Sequence, residues 1–102
     1  MSRYILHPEA SADLDAIWEF IAEDNLEAAD RVMGEIHDAI LSLISLPRQG
    51  HLRPDLTSRP LRFQIVREYL IAYAPDEKPL IIFGVLHGRR SPRVIAALLR
   101  AR

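Results

Sequence analysis

The stretch LRFQIVREYLIAYAPDEKPLIIFGVLH, Leu61 to His87, decides the fold. Leu61, Phe63 and Ile65 alternate with Arg62 and Gln64, the period-two pattern of a strand with one apolar and one polar face. Arg67-Glu68 reads as a tight reversal, YLIAYA as the next strand and PDEKP as a second turn. LIIFGVLH then runs with hardly a polar residue. Alternation vanishes where both faces of a strand are covered, so this strand is expected at the centre of its sheet. Three strands joined by short turns make an antiparallel meander.

Downstream, Ser91-Pro92 has the residue types of an N-cap and first helical position, and Val94, Ile95, Leu98 and Leu99 give a short closing helix. Upstream lies PRQGHLRPDLTSRP, Pro47 to Pro60, a loop of fourteen residues rich in turn formers. Before it, Ala29, Val32, Met33, Ile36, Ile40, Leu43 and Ile44 keep helical spacing until Pro47 and Gly50, with Asn25 as the expected N-cap. Leu14, Ile17, Trp18 and Ile21 mark an earlier helix that starts at Pro8, and Asp13, Glu19 and Glu23 are expected on its other faces. The break at Asp24-Asn25 is so short that the two helices form an antiparallel hairpin. RYILH, Arg3 to His7, reads as a strand. The expected class is α+β in the order β-α-α-β-β-β-α, one domain over residues 1–102, with the N-terminal strand and the helical hairpin packed on a small antiparallel sheet.

Composition narrows the chemistry. Hydrophobic residues are 49% and charged residues 26%, as in a folded globular chain. Without cysteine there is no disulfide framework, thiolate ligand or thiolate nucleophile, and a cytoplasmic setting is expected. No stretch approaches the roughly 20 apolar residues of a membrane span, and no signal peptide is expected in the opening MSRYILHPEA. His7, His37, His51 and His87 fall in different elements without paired ligand spacing, so neither a metal nor a cofactor is expected. GVLHGRRS is one residue short of a phosphate-loop spacing and lacks its lysine. Gly84 is better explained by a bulge or a close backbone approach.

The net charge of -1 hides a division. Up to Leu46, ten acids face two arginines; from Pro47 onward, eleven basic residues face four acids. All basic residues but Lys78 are arginine, whose planar fork suits phosphates and carboxylates. Arg89, Arg90 and Arg93 follow the last strand, and Arg53, Arg59 and Arg62 lie in or beside the long loop. Their convergence on one rim would make a site for a polyanion or the acidic tail of a protein; scattered solvation is the competing reading. His87 beside arginines has the residue types for acid-base cleavage of RNA, against the plainer role of a strand-end histidine.

Four segments resemble the RelE/ParE superfamily of type II toxin-antitoxin toxins: HPEASADLDAIWEFIAEDN, AADRVMGEIHDAILSLISLPRQG, LRFQIVREYLIAY and IFGVLHGRR. They occur in the family's order over nearly the whole chain. The resemblance is nearer to the ParE-like branch, since the chain ends ALLRAR without the C-terminal tyrosine or histidine often carried by the family's nucleases. It implies a growth-inhibiting bacterial toxin without catalytic residues that binds DNA gyrase and is neutralised by a cognate antitoxin. Arg53, Arg59, Arg62, Arg89, Arg90 and Arg93 are then the candidates for target or antitoxin contact. The alternatives are a RelE-like ribosome-dependent mRNA endoribonuclease using Arg62, His87 and Arg89, and an inactive antitoxin-binding module. Either a homodimer or a toxin-antitoxin hetero-oligomer is compatible with the resemblance.

Overall fold

In the computed structural model, residues 3–102 are described. Met1 and Ser2, the start of the expected 1–102 domain, lie outside the described residues. The chain forms β1 (Tyr4–Leu6), α1 (Pro8–Ala22), α2 (Leu26–Ser45), β2 (Arg62–Val66), β3 (Tyr69–Ala74), β4 (Leu80–His87) and α3 (Pro92–Arg100), the expected order.

Local chemistry sets the helix ends. His7 Nδ1 accepts the backbone N–H of Glu9 at 3.0 Å, so a histidine does the capping work ahead of Pro8 at the first helical position. Asn25 Oδ1 accepts from Ala28 N–H at 3.0 Å and starts α2. Helix α2 buries Ala29, Val32, Ile36, Ile40 and Leu43, a stripe of three- and four-residue steps. Helix α1 buries only Ala10 fully, while Leu14, Ile17 and Ile21 pack half-buried against the core. Trp18 ties the hairpin together, its indole N–H donating to Asp30 Oδ1 at 3.0 Å.

The sheet order is β1-β4-β3-β2. Strands β2, β3 and β4 are the expected antiparallel meander, whereas β1 joins β4 in parallel, with Tyr4 opposite Leu80 and Leu6 opposite Ile82. The hairpin makes this feasible: a parallel neighbour needs a long crossover, and α1–α2 begins one. Strand β4 is thus interior, as its unbroken apolar run requires.

Both faces of the sheet are covered. Tyr69, Ile71, Tyr73, Leu80, Ile82 and Val85 face the helical hairpin. Phe63, Leu70, Ala72 and Leu86 pack with Ile95 and Leu99 of α3 and with Leu56 from the long loop. The β2–β3 reversal places Arg67 at φ 54, costly for a side-chain-bearing residue. The turn is tied to α2 by a bidentate pair, Arg67 Nε and Nη2 donating to Glu35 Oε1 and Oε2, each at 2.7 Å. A register shift at Ala72/Tyr73 lies opposite Gly84, so the bulge expected there exists.

Candidate functional site

The six candidate arginines divide into two sets. Arg53, Arg59 and Arg62 have partners within the chain. Arg53 grips Asp55 with Nε and Nη2 at 2.9 and 2.8 Å, and this bond holds the Asp55 carboxyl below its ordinary value. Arg59 Nη2 donates to Arg102 O at 2.9 Å and Nη1 to Leu99 O at 3.4 Å, satisfying carbonyls at the end of α3. Its guanidinium also lies 5.0 Å from the centre of the Phe83 ring.

Arg62 Nη1 donates to Gly50 O at 2.7 Å and Arg48 O at 3.4 Å, while its buried Nε has no partner. Tyr73 completes this anchor: its hydroxyl accepts from Gly50 N–H at 2.9 Å and donates to Pro47 O at 2.7 Å. Burial pushes the Tyr73 phenol above its ordinary value. A Cβ at Gly50 would stand 2.6 Å from the Tyr73 hydroxyl and 2.9 Å from Phe63 O, so only glycine fits the start of the loop.

Arg89, Arg90 and Arg93 are exposed and form no ion pair among the described residues. They surround the N-terminal end of α3, where Ser91 caps Val94 N–H at 3.3 Å and no acidic residue occupies the first turn. Cations at the positive end of a helix dipole oppose its field, so local helix stability does not account for them.

His87 beside them has one nitrogen hydrogen-bonded and the other near a carboxylate. Nδ1 accepts Arg89 N–H at 3.2 Å, which leaves the proton of the neutral ring on Nε2, 3.3 Å from Glu68 Oε2. The ring sits edge-on to Tyr69 at 5.5 Å between centroids. The other histidines are spread apart: His7 caps α1, His37 lies against Tyr4 and His51 bridges to Phe63. Among the described residues no group of three or more metal-ligating side chains comes together. No described helix is long and apolar enough to cross a membrane.

Two residues that the sequence reading assigned to no site are central here. Asp13, expected on a solvent-facing side of α1, is turned inward. Its carboxylate receives Arg102 Nη1 and Nη2 at 2.7 and 2.9 Å and Val85 N–H at 2.9 Å. Arg102 Nη1 also reaches Phe83 O at 3.3 Å. Strand β1 ends opposite Ile82, leaving the edge of β4 open from Phe83 onward. Asp13 and Arg102 supply the acceptor and donor that a longer strand would have provided there. A Cβ at Gly84 would collide with Arg102 Nη1, so the close approach expected at this glycine is the passage of an arginine across the strand.

Beyond this clasp, α1 and the end of β4 flank a mostly apolar groove of about 280 Å³, lined by Ala16, Ile17, Phe20, Tyr69, Val85 and Arg90 among others. Phe20 is 74% exposed. Its place in helical spacing, four residues after Ala16, was legible, but nothing in the local pattern said that its own chain would leave it uncovered.

A helical hairpin on one face of a four-stranded sheet, with a short helix on the other and a cationic end, defines a small α+β domain of a kind already solved. A structure titled "Chromosomal ParDE TA system from P. aeruginosa" superposes with a TM-score of 0.66 at 22% identity, covering 84% of this chain and 98% of that one. Among curated proteins none matches. The model of the ParE toxin of the type II toxin-antitoxin system parDE matches residues 4–92, and the chain belongs to that family.

Proposed function

We propose that this ParE-type toxin inhibits DNA gyrase by binding, and that a cognate antitoxin neutralises it. One observation carries the reading: in a ParE-family chain, Arg89, Arg90 and Arg93 stand exposed around one helix end with no ion pair among the described residues, while Arg53, Arg59 and Arg62 are engaged within the fold. Such a cationic end fits a phosphate-bearing target, here gyrase on DNA, or the carboxylates of an acidic protein segment. Action would be steric and electrostatic, docking on the gyrase-DNA complex so that cleaved DNA is not resealed.

The test uses the purified full chain with gyrase, ATP and relaxed plasmid. Supercoiling should fall and cleaved-DNA complexes should accumulate in proportion to added protein. Unchanged gyrase turnover at saturating protein refutes the reading. Codon-positioned cuts in translated mRNA, lost on His87→Ala, would replace it with the nuclease.

A further inference from the structure

We propose that the outer row of α3, Arg93 and Arg100 with Arg89 and Arg90 ahead of the helix, binds the phosphate backbone of duplex DNA directly, with no need of gyrase to hold the DNA. This contact deepens the gyrase reading and rests on it only for the presence of DNA at the target.

Sequence supplies the charge. From Lys78 to Arg102 there are six basic residues and no acid. Lys78 lies in the β3–β4 turn and Arg102 is spent on Asp13. The other four, Arg89, Arg90, Arg93 and Arg100, are exposed and form no ion pair among the described residues. Helix geometry then aligns them. Arg93 and Arg100 are two turns apart, so they stand on one side of α3 about 10 Å from each other along its axis. Exposed Ala97 lies between them in the row, while Ile95 and Leu99 turn into the core. With only a methyl group between them, both guanidiniums can reach one extended charged surface. Arg89 and Arg90 continue the strip past the Ser91 cap.

The fold separates the signs. Helix α3 packs on the sheet face opposite the helical hairpin, whose two helices and short connection carry ten acids against Arg31. A polyanion is drawn to the α3 side and repelled from the other. Asp55, the acid lining the hollow beside Arg100, is neutralised by Arg53. A ladder of phosphates needs only spaced cations, and arginine meets each with a planar fork. An acidic peptide needs apolar side chains seated in pockets as well, where this row offers Ala97. Helix α3 also carries no aromatic ring on which unpaired bases would stack, which favours a duplex over a single strand.

The test follows fluorescence anisotropy of a labelled duplex of about 20 base pairs, in two unrelated sequences, as the purified full chain is added without gyrase at about 50 to 200 mM salt. Four arginines on phosphates predict a slope of about −3 to −4 in log K against log salt, a loss of roughly a hundredfold over that range, with the two sequences within about threefold. Arg93→Ala and Arg100→Ala should each reduce the slope by about one, and Arg93→Glu with Arg100→Glu should abolish binding. These side chains are exposed, so thermal unfolding should be unchanged. Should the double glutamate variant fold poorly, the two alanine slopes carry the test. No binding at the lowest salt, a slope near zero, a sequence preference above about tenfold, or slopes unmoved by both alanines overturns the proposal. Tighter binding of a polyglutamate peptide of equal charge also overturns it and gives the row to an acidic protein. Supercoiling by gyrase is measured separately with the same protein. DNA binding without inhibition removes the gyrase reading and keeps the contact; inhibition without DNA binding does the reverse.

Discussion

Replacing Asp13 with alanine should lower stability more than any other loss of a single charged side chain. The carboxylate and the Arg102 guanidinium are 17% and 6% exposed, which places the pair in the buried regime rather than among surface ion pairs worth about 0–1 kcal/mol. The substitution removes two bonds to Arg102 and orphans Val85 N–H on the edge of β4. An orphaned buried donor costs about 1–3 kcal/mol, and breaking a buried pair from one side about 3–5. Arg102 keeps one weak acceptor at Phe83 O, 3.3 Å away, so the expected loss is about 3 kcal/mol. For a domain of this size that corresponds to a fall in Tm of roughly 12–24 °C. Asp13→Asn retains an acceptor for Val85 N–H and should cost about half as much. Chemical denaturation of Asp13→Ala, Arg102→Ala and the double variant gives the coupling directly. A coupling of about 1–3 kcal/mol is expected, and additivity to within about 0.3–0.5 kcal/mol would refute the claim that the two side chains act as one element.

Gly84→Ala should act through the same clasp, displacing Arg102, so its cost should largely disappear in an Arg102→Ala background when both are measured by denaturation. Tyr73→Phe should destabilise by about 1–3 kcal/mol because Gly50 N–H loses its partner, and Gly50→Ala should not be rescued by it, since a Cβ there would still lie 2.9 Å from Phe63 O. The carboxyls of Glu35 and Asp55 are held below their ordinary values by Arg67 and Arg53. Their contribution is therefore complete above the unfolded-chain values of about 4.5 and 3.8 and is lost as pH falls through the lower folded ones; Glu35→Gln should flatten part of that acid limb in denaturation at descending pH. Arg89→Ala with Arg90→Ala should leave stability within about 0.5 kcal/mol while weakening gyrase inhibition, and unaltered inhibition would separate these arginines from the target.

The fold was legible because its signals are local and repeated. The α2 stripe from Ala29 to Leu43, the alternation at Leu61–Ile65 and the unbroken run Leu80–Leu86 each report an environment directly. The parallel pairing of β1 was not legible, because three residues, Tyr4 to Leu6, carry no information on which strand they will join. Asp13 was misplaced for a related reason. Helical periodicity ranks faces by hydrophobicity, and a carboxylate counts as outward even where an arginine 89 residues later in the chain waits to receive it. Only Gly84, a glycine inside a buried strand, hinted that something approaches there.

Arginine bias carried the same ambiguity at the level of composition. A fork-shaped cation suits phosphate, and equally suits pairs of backbone carbonyls left over by a long loop or a helix end. The fourteen residues from Pro47 to Pro60 hold no helix or strand of their own, and Arg62 fastens the loop's start through Gly50 O and Arg48 O while Arg59 fastens its end to α3 through Leu99 O and Arg102 O. A lysine could reach one acceptor in each pair but has no plane to stack on Phe83 and no fork to span two carbonyls. Arg59→Lys and Arg62→Lys should therefore lower Tm although charge is conserved, whereas Arg89→Lys, Arg90→Lys and Arg93→Lys should not. Equal tolerance of lysine at all five positions would mean that the loop arginines contribute charge alone, and that the division between anchoring and free arginines is not a property of the molecule.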